Sequence, residues 1–352
     1  MAFDLESVKN YLATYDGPTV RIMEVCGSHT AAISKLGIPS LLSERIQLIS
    51  GPGCPVCVTP TAYIDRLIDL SLTEGCAVCT FGDLLRVPGS RDREVRTLNL
   101  AKGKGGKVYM LYSPMDILPL AEQHPETTWY FAAVGFETTT PVYALLLQAL
   151  EEQGITNVKL VTALKTMPAV IAYLCENDAQ IDAFLAPGHV SVVTGSKVFR
   201  PLAERYRLPF IVSGFQGGEL LAAIYGAVRS VGQGRVLNLY PSVVTEQGNC
   251  EAQDLVSHYF QPCSAVWRGM GEIPDSGMML RPAFSAFEGG SAGLNRGNAN
   301  PACSCGAVLS GKLRPGDCPL FGRGCNPMNP QGACMVSTEG SCFQYFTNHR
   351  DR

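Results

Sequence analysis

Short apolar runs alternate along the chain with longer stretches whose apolar positions have helical spacing. The apolar runs predict strands at residues 20–25, 46–49, 76–81, 108–112, 130–134, 158–164, 181–185 and 210–212. An amphipathic helix at about residues 5–15 precedes them. Strands that alternate with helices are typical of βα units around a parallel sheet. We therefore predict an α/β protein with two similar parallel-sheet domains, each of about four strands.

The pattern changes at about Tyr240, where Gly and Pro become frequent and strand periodicity fades. This change predicts three domains. Residues 20–125 form the first α/β domain, residues 126–236 the second and residues 237–352 a Cys-rich third domain. A helix within residues 1–19 is a candidate to pack on the third domain.

Charge and hydropathy exclude several classes of function. The formal net charge is −3, and no long basic or acidic run occurs, which argues against a nucleic-acid partner. The N-terminus carries acidic residues and lacks the apolar segment of a signal peptide. No apolar run has the length of a membrane span. We therefore expect a cytoplasmic protein with no membrane partner.

Fourteen cysteines are unusual for such a protein. In a reducing compartment, clustered cysteines indicate metal or redox chemistry rather than a disulfide framework. Cys54 and Cys57 lie in a Cys-x-x-Cys turn between a predicted strand and a predicted helix. Thr59 is predicted to cap that helix, with Pro60 at its first position, so that the helix dipole favours a thiolate at Cys57. The alternative is a pair of buried cysteines at a turn.

Other chemically active side chains also follow predicted strands. In open parallel sheets, ligands bind in the crevice beyond the carboxyl ends of the strands. If the two predicted domains face each other across a cleft at these strand ends, the side chains there would lie close together. The residues at these ends are Cys26, His29, Cys54, Cys57, Asp83, His189 and Glu219. His29 is best placed as an acid, a base or a ligand neighbour for Cys26, whereas His189 could equally hold a loop.

Six cysteines lie between Cys303 and Cys342 in turn-rich sequence. A region of this kind cannot easily build its own apolar core, so a metal centre would stabilise it. The long, unequal spacings favour a cubane iron–sulfur cluster over zinc, with two cysteines left as a redox pair. We interpret Cys76, Cys79 and Cys175 as packing residues and assign no site to Cys250 or Cys263.

Several rare motifs occur in an order that resembles the HypD family of hydrogenase maturation factors over nearly the whole length. They are Cys26-Gly-Ser-His-Thr, Gly51-Pro-Gly-Cys-Pro-Val-Cys57, Thr80-Phe-Gly-Asp, Gly135-Phe-Glu-Thr-Thr-Thr-Pro141, Pro187-Gly-His-Val-Ser191 and the Cys303–Cys342 array. The resemblance implies two Rossmann-like domains and a third domain with a [4Fe–4S] cluster. It implies a scaffold that works with the small chaperone HypC to assemble an Fe(CN)2CO unit. HypE would supply the cyanide, and the unit would pass to the large subunit of a [NiFe] hydrogenase.

The resemblance also implies roles for single residues. Cys26 would bind the assembled iron with support from His29, and Cys54 and Cys57 would be a dithiol/disulfide pair in the same cleft. The cluster ligands would be Cys303, Cys318, Cys325 and Cys342, with Cys305 and Cys334 as the redox pair. The choice between Cys303 and Cys305 as first ligand stays open, as does whether the chain is itself an enzyme.

The sequence departs from the family where Gly-Phe-Glu-Pro-x-Asp is common and this chain has Gly214-Phe-Gln-Gly-Gly-Glu219. An acidic role for this loop is therefore in doubt. Ser242 also stands where the family usually has Arg. Two other functions remain as alternatives. One is a freestanding iron–sulfur dithiol oxidoreductase, which gives Cys26 no role, and the other is a zinc-stabilised binding protein.

Overall fold

A computed structural model describes residues 4–177, 180–294 and 297–348. Its strands confirm the eight predicted apolar runs within a few residues and add three more, β9, β10 and β11. The strands are β1 Val20–Glu24, β2 Ile46–Ser50, β3 Cys76–Thr80, β4 Val108–Met110, β5 Thr128–Gly135, β6 Val158–Lys165, β7 Ala183–Pro187, β8 Phe210–Ser213, β9 Val236–Asn238, β10 Phe260–Trp267 and β11 Gly271–Leu280.

The first sheet is parallel and has the order β2-β1-β7-β8-β9. Counted within this sheet alone, the order is 2-1-3-4-5, so the direction of winding reverses between β1 and β7. A reversal of this kind leaves a crevice at the carboxyl ends of the two strands, where open α/β sheets bind ligands. Cys26 lies two residues after the end of β1, and Gly188 and His189 follow β7.

The second sheet has the order β10-β11-β6-β5-β3-β4. The strands β6, β5, β3 and β4 are parallel, whereas the hairpin of β10 and β11 joins antiparallel to β6. The pairing therefore differs from the grouping by chain order that the sequence predicted. The chain leaves the first sheet after β2, builds most of the second and returns with β7. The domain bounds 20–125, 126–236 and 237–352 stay predictions.

Helices connect the strands, as the periodicity predicts. The helices are α1 Leu5–Ala13, α2 Gly27–Lys35, α3 Thr61–Leu72, α4 Leu98–Gly103, α5 Ile117–Gln123, α6 Thr140–Gln153, α7 Met167–Glu176, α8 Gly188–Thr194, α9 Arg200–Tyr206, α10 Gly217–Arg229, α11 Cys250–Tyr259, α12 Cys305–Leu309 and α13 Ser341–Asn348. The cap predicted for α3 is wrong, because the Thr59 hydroxyl donates to the Pro55 carbonyl at 2.9 Å and the helix begins at Thr61.

A hydrophobic core lies where both sheets meet the C-terminal segment, residues 303–348. Phe184 and Phe210 of the first sheet belong to this junction core, and their rings stack at 4.9 Å between centroids. Trp267 of the second sheet stacks on Phe136 at 5.9 Å. Leu309 brings in the C-terminal segment. The core also contains four of the cysteines, Cys54, Cys57, Cys305 and Cys334.

The turns that follow β1 and β2 pack against each other. The amide of Gly27 donates to the carbonyl of Gly53 at 2.9 Å. A Cβ atom at Gly53 would lie only 2.3 Å from the backbone nitrogen of Cys26. Glycine at position 53 is therefore what allows the Cys26 and Cys54 turns to touch.

No helix within the described ranges is long and apolar enough to cross a membrane.

Gly53→Ala should lower the free energy of unfolding by roughly 1–3 kcal/mol, because the added methyl group forces two backbones apart. Gly103→Ala is the matched control, since its Cβ would meet no atom within 4 Å. That control should leave stability unchanged or raise it by less than about 1 kcal/mol. Denaturant unfolding of the three proteins measures both effects. Equal stability for the Gly53 variant and the parent would contradict the close approach.

Glu137→Gln should reduce the dependence of stability on pH. Burial raises the pKa of Glu137 from 4.5 to about 7, and its Oε2 atom is buried without a partner in the described chain. The folded protein therefore holds a proton there that the unfolded chain releases, so stability falls as pH rises through this interval. The loss amounts to at most roughly 3 kcal/mol.

Denaturant unfolding at about pH 5 and about pH 8 compares the parent with this variant. The Gln side chain can still accept the 2.8 Å hydrogen bond from the Met167 amide. Glu74→Gln, at an exposed position, is the control and should keep the parental slope. A Glu137→Gln protein with the full parental slope would rule out this carboxyl as the source.

Candidate functional site

Cys26 lies between β1 and α2, at the crevice where the first sheet reverses its winding. Its side chain is 7% exposed. Burial raises the pKa of the thiol to about 12, although the backbone N–H of His29 opposes the shift. Cys26 is therefore a neutral thiol at ordinary pH, and a thiolate requires a nearby cation.

Two carboxyl groups share this buried environment. Glu24, the last residue of β1, accepts a 2.6 Å hydrogen bond from the Thr30 hydroxyl, and burial raises its pKa to about 8. Glu339, from the C-terminal segment, accepts a 2.8 Å hydrogen bond from the Ser28 hydroxyl. Burial also raises the pKa of Glu339. The site thus holds three groups that could become anions, and burial raises the pKa of each.

His29 is fully buried beside Cys26, in α2. Its Nε2 atom lies 3.1 Å from the carbonyl oxygen of Gly214 and 3.3 Å from that of Ser213, so this nitrogen carries the proton. Burial lowers the pKa of His29 to about 4. The Nδ1 atom has no hydrogen-bond partner in the part of the chain that the structure describes. His29 is therefore neutral, with a free lone pair on Nδ1.

Phe215 joins the two histidines of the crevice. Its ring centroid lies 4.7 Å from that of His29 and 4.1 Å from that of His189. The loop that presents Phe215 is fixed by a capping box at the start of α10, in which Glu219 accepts from the Gln216 amide at 2.9 Å. The Gln216–Glu219 loop thus has a structural role, because the Glu219 carboxylate is engaged by the backbone amide of Gln216.

Cys54 and Cys57 form a disulfide with a Cα–Cα distance of 5.3 Å. Both side chains are at most 3% exposed. The turn that carries them contacts the Cys26 turn through Gly53, as described above. The structure thus brings the first three predicted cysteines of the site to one end of the first sheet.

The six C-terminal cysteines line a single small cavity. Within it, the Sγ atoms of Cys305 and Cys334 are 3.1 Å apart. The members of the cavity wall that carry thiols are Cys303, Cys305, Cys318, Cys325, Cys334 and Cys342. Among residues 4–177, 180–294 and 297–348, no group of three or more His, Cys, Asp or Glu side chains is arranged around one ion-sized point.

Arg268 is a buried cation beside this cavity. Hydrogen bonding with Cys305 and burial raise the pKa of Cys303, and the charge of Arg268 opposes this shift. Arg268 also acts on Cys305 and Cys334. Its Nη1 atom is buried and has no hydrogen-bond partner among the described residues. A buried positive charge with a spare donor suits a cavity whose sulfur atoms carry negative charge.

The other residues singled out in the sequence are Asp83, Cys76, Cys79 and Cys175. Asp83 accepts a 3.0 Å hydrogen bond from the Ser337 hydroxyl. Together with the Ser28–Glu339 hydrogen bond, this places the C-terminal segment against the carboxyl ends of both sheets. Cys79 is buried in the core of the second sheet, and Cys76 is partly buried on the same strand. Cys175 is partly buried and packs against the junction core.

Sequence reasoning missed Glu24, Phe215, Arg268 and Glu339. Glu24 carried a usable signal, since an acidic residue in an otherwise buried strand must be neutral or partnered. Phe215, Arg268 and Glu339 approach from distant parts of the chain, so no local pattern could have indicated them.

The sequence was compared with known families and proteins. The HypD family model, described as "Hydrogenase formation hypA family", matches residues 5–349. The chain is 40% identical to the hydrogenase maturation factor HypD of Azotobacter vinelandii over 344 residues, which cover 94% of this chain and 90% of that protein. It is 39% identical to HypD of Escherichia coli (strain K12) over 336 residues, or 93% of this chain and 88% of that protein. The chain therefore belongs to the HypD family of hydrogenase maturation factors.

Proposed function

We propose that this protein is a cytoplasmic scaffold on which Fe(CN)2CO, the iron unit of a [NiFe] hydrogenase, is assembled together with a HypC-type chaperone. In this proposal the two sheets are Rossmann-like domains, and the C-terminal segment binds a [4Fe–4S] cluster. The observation that carries the proposal is the position of Cys26 at the crevice of the first sheet. There its turn contacts the turn that carries the Cys54–Cys57 disulfide.

Cys26 is the proposed ligand of the substrate iron. Low-spin iron with cyanide and carbon monoxide is a soft ion that suits thiolate ligands. Because the thiol is neutral when the site is empty of cations, binding must release its proton. Glu24 and Glu339 are the carboxyl groups nearest in the fold, and the positive charge of iron would lower their pKa values as well. Binding of the iron would therefore be coupled to the release of protons from the site.

The C-terminal cavity is the proposed cluster site, with Cys303, Cys318, Cys325 and Cys342 as ligands. The 3.1 Å contact between Cys305 and Cys334 supports keeping these two as the redox pair, and hence Cys303 as first ligand. When bound, a cubane cluster supplies electrons one at a time. Arg268 would balance the negative charge of the thiolates from its buried position.

The thiol pairs could pass reducing equivalents towards the crevice. Reduction of the Cys54–Cys57 disulfide takes two electrons and two protons and yields two thiols. Cys54, Cys57, Cys305 and Cys334 all pack in the junction core, which keeps water away from such a transfer. A HypE-type protein would supply cyanide at the open side of the crevice, and the hydrogenase large subunit would receive the finished unit.

A freestanding iron–sulfur dithiol oxidoreductase remains the second candidate, since the disulfide and the Cys305–Cys334 contact would serve it equally. It leaves the buried Cys26 site without a task. A zinc-stabilised binding protein is the third candidate, and labile sulfide in the purified protein would exclude it.

Infrared spectroscopy of the protein, co-expressed with its small chaperone and purified without oxygen, should show cyanide and metal-carbonyl stretching bands. Cys26→Ala should abolish these bands, because the thiolate ligand is lost, while the visible absorption of the cluster persists. Cys250→Ala, at an exposed helix position, is the control and should keep the bands. A fully loaded parent protein without bands would favour the oxidoreductase. Loss of cluster in Cys26→Ala would show that the two sites are assigned wrongly.

Arg268→Gln should lower the reduction potential of the cluster, because a buried positive charge stabilises the reduced state, which is the more negative one. Arg66→Gln is the matched control, since Arg66 also has a buried side-chain nitrogen without a hydrogen-bond partner among the described residues, whereas only Arg268 acts on the pKa values of Cys303, Cys305 and Cys334. Potentiometric titration followed by visible absorption measures both variants. An unchanged potential in Arg268→Gln, with cluster content intact, would contradict this charge compensation.

A further inference from the structure

A second cavity lies away from the Cys26 crevice and the C-terminal cysteines, in the second sheet where β6 meets the hairpin of β10 and β11. Its volume is about 430 Å³, within the range of small-molecule pockets. Most of its wall is apolar, and one buried cation, Lys165, belongs to it. The wall residues that matter for its chemistry are Tyr63, Lys165, Cys263, Glu272, Met278 and Leu294.

Lys165 is the last residue of β6 and only 2% exposed. Its Nζ atom makes no hydrogen bond and no salt bridge with any residue that the structure describes. The one close partner of the ammonium group is the face of Trp267, whose ring centroid lies 5.6 Å away. Burial lowers the pKa of Lys165 to about 8. A buried ammonium group costs free energy unless an anion or a hydrogen-bond acceptor accompanies it.

Register explains how the Lys165 side chain reaches the cavity. Lys165 pairs with Gly277 of β11, and Gly277 pairs with Cys263 of β10. Residues paired directly across strands project from the same face of a sheet, so the three form one row. A Cβ atom at Gly277 would lie 2.7 Å from that of Ala265 and 3.3 Å from the Cys263 sulfur. Glycine at position 277 therefore lets Ala265 and the Cys263 sulfur pack closely over the middle of the row, on the sheet face that carries Lys165.

The nearby acidic groups do not neutralise Lys165. Cys263 is a neutral thiol, because burial raises its pKa despite the attraction of Lys165. Glu288 is already occupied by the amides of Gly290 at 2.7 Å and Ser291 at 2.6 Å. Glu272 is exposed at the rim. With Glu272 and Glu288 also in the wall, one cation can balance a single negative charge, and the carboxylates would repel a ligand with several.

We propose that this cavity binds a small amphipathic monoanion, whose single carboxylate pairs with Lys165 and whose short apolar body packs against Met278 and Leu294. The carboxylate gives Lys165 a counter-ion, and the apolar body of the ligand covers apolar side chains of the wall that otherwise contact water. This site is separate from the Cys26 crevice and the cysteine cavity. A test of the anion site is therefore independent of the assembly function proposed above.

Hexanoate is the probe, titrated into the full-length protein under anaerobic conditions and followed by calorimetry. Binding of hexanoate should be saturable. Hexanamide and hexylammonium should each bind at least about tenfold more weakly, because neither carries the negative charge that forms an ion pair with the Lys165 ammonium group. Lys165→Met should weaken hexanoate binding by about tenfold or more. Lys159→Met is the matched control on the same strand, outside the cavity, and should bind hexanoate like the parent.

The unmodified protein gives an independent test that needs no variant to fold. Hexanoate should slow the reaction of N-ethylmaleimide with Cys263, which lines the cavity, and leave the rate at the exposed Cys250 unchanged. The proposal is overturned if hexanoate does not bind saturably, in which case the cavity holds only water. It is also overturned if hexanamide binds equally well, if Lys165→Met keeps the parental affinity, or if Cys263 is not protected.

Discussion

The structure depends on one hydrophobic core that both sheets and the C-terminal segment build together. Phe184 of the first sheet, Trp267 of the second and Leu309 of the C-terminal segment all pack into it. No one of these segments could bury its apolar face alone, so the three parts stabilise one another. The same packing encloses Cys54, Cys57, Cys305 and Cys334. The sulfur atoms of these four cysteines therefore lie inside the core that stabilises the fold, and not on the surface.

Burial raises the pKa values of thiols at both cysteine sites, but the two sites differ in nearby positive charge. At the Cys26 crevice, burial raises the pKa values of the thiol, Glu24 and Glu339, and no arginine or lysine among the described residues opposes these shifts. At the C-terminal cavity, the buried Arg268 already supplies positive charge. A crevice without a nearby cationic side chain is consistent with the proposed binding of a substrate metal, and the cation beside the C-terminal cavity is consistent with the proposed resident cluster. This contrast is the physical basis for assigning different roles to the two sites.

Local sequence patterns were sufficient for the strands of the βα units, because each is an apolar run that ends in turn residues. They failed for β10 and β11, where Pro262, Pro274 and Gly277 interrupt the alternation of a half-buried strand. Strand order could not be predicted, since parallel pairing depends on contacts between distant segments. The same reason applies to the site. The Cys26 and Cys54 turns were recognisable by their motifs, whereas Glu339 meets Ser28 across 311 positions of sequence.

Two hydrogen bonds connect the C-terminal segment to both sheets. The Ser337 hydroxyl donates to Asp83 after β3, and Glu339 accepts from the Ser28 hydroxyl after β1. A ribosome makes residues 337 and 339 long after Cys26, Cys54 and Cys57 have emerged. During synthesis, the Cys26 turn therefore stays open to water, and its thiol lacks the enclosure that sets its chemistry. A ligand that bound at this stage would meet an ordinary exposed cysteine. The order of the segments along the chain thus delays the closed crevice until Ser337 and Glu339 have been made.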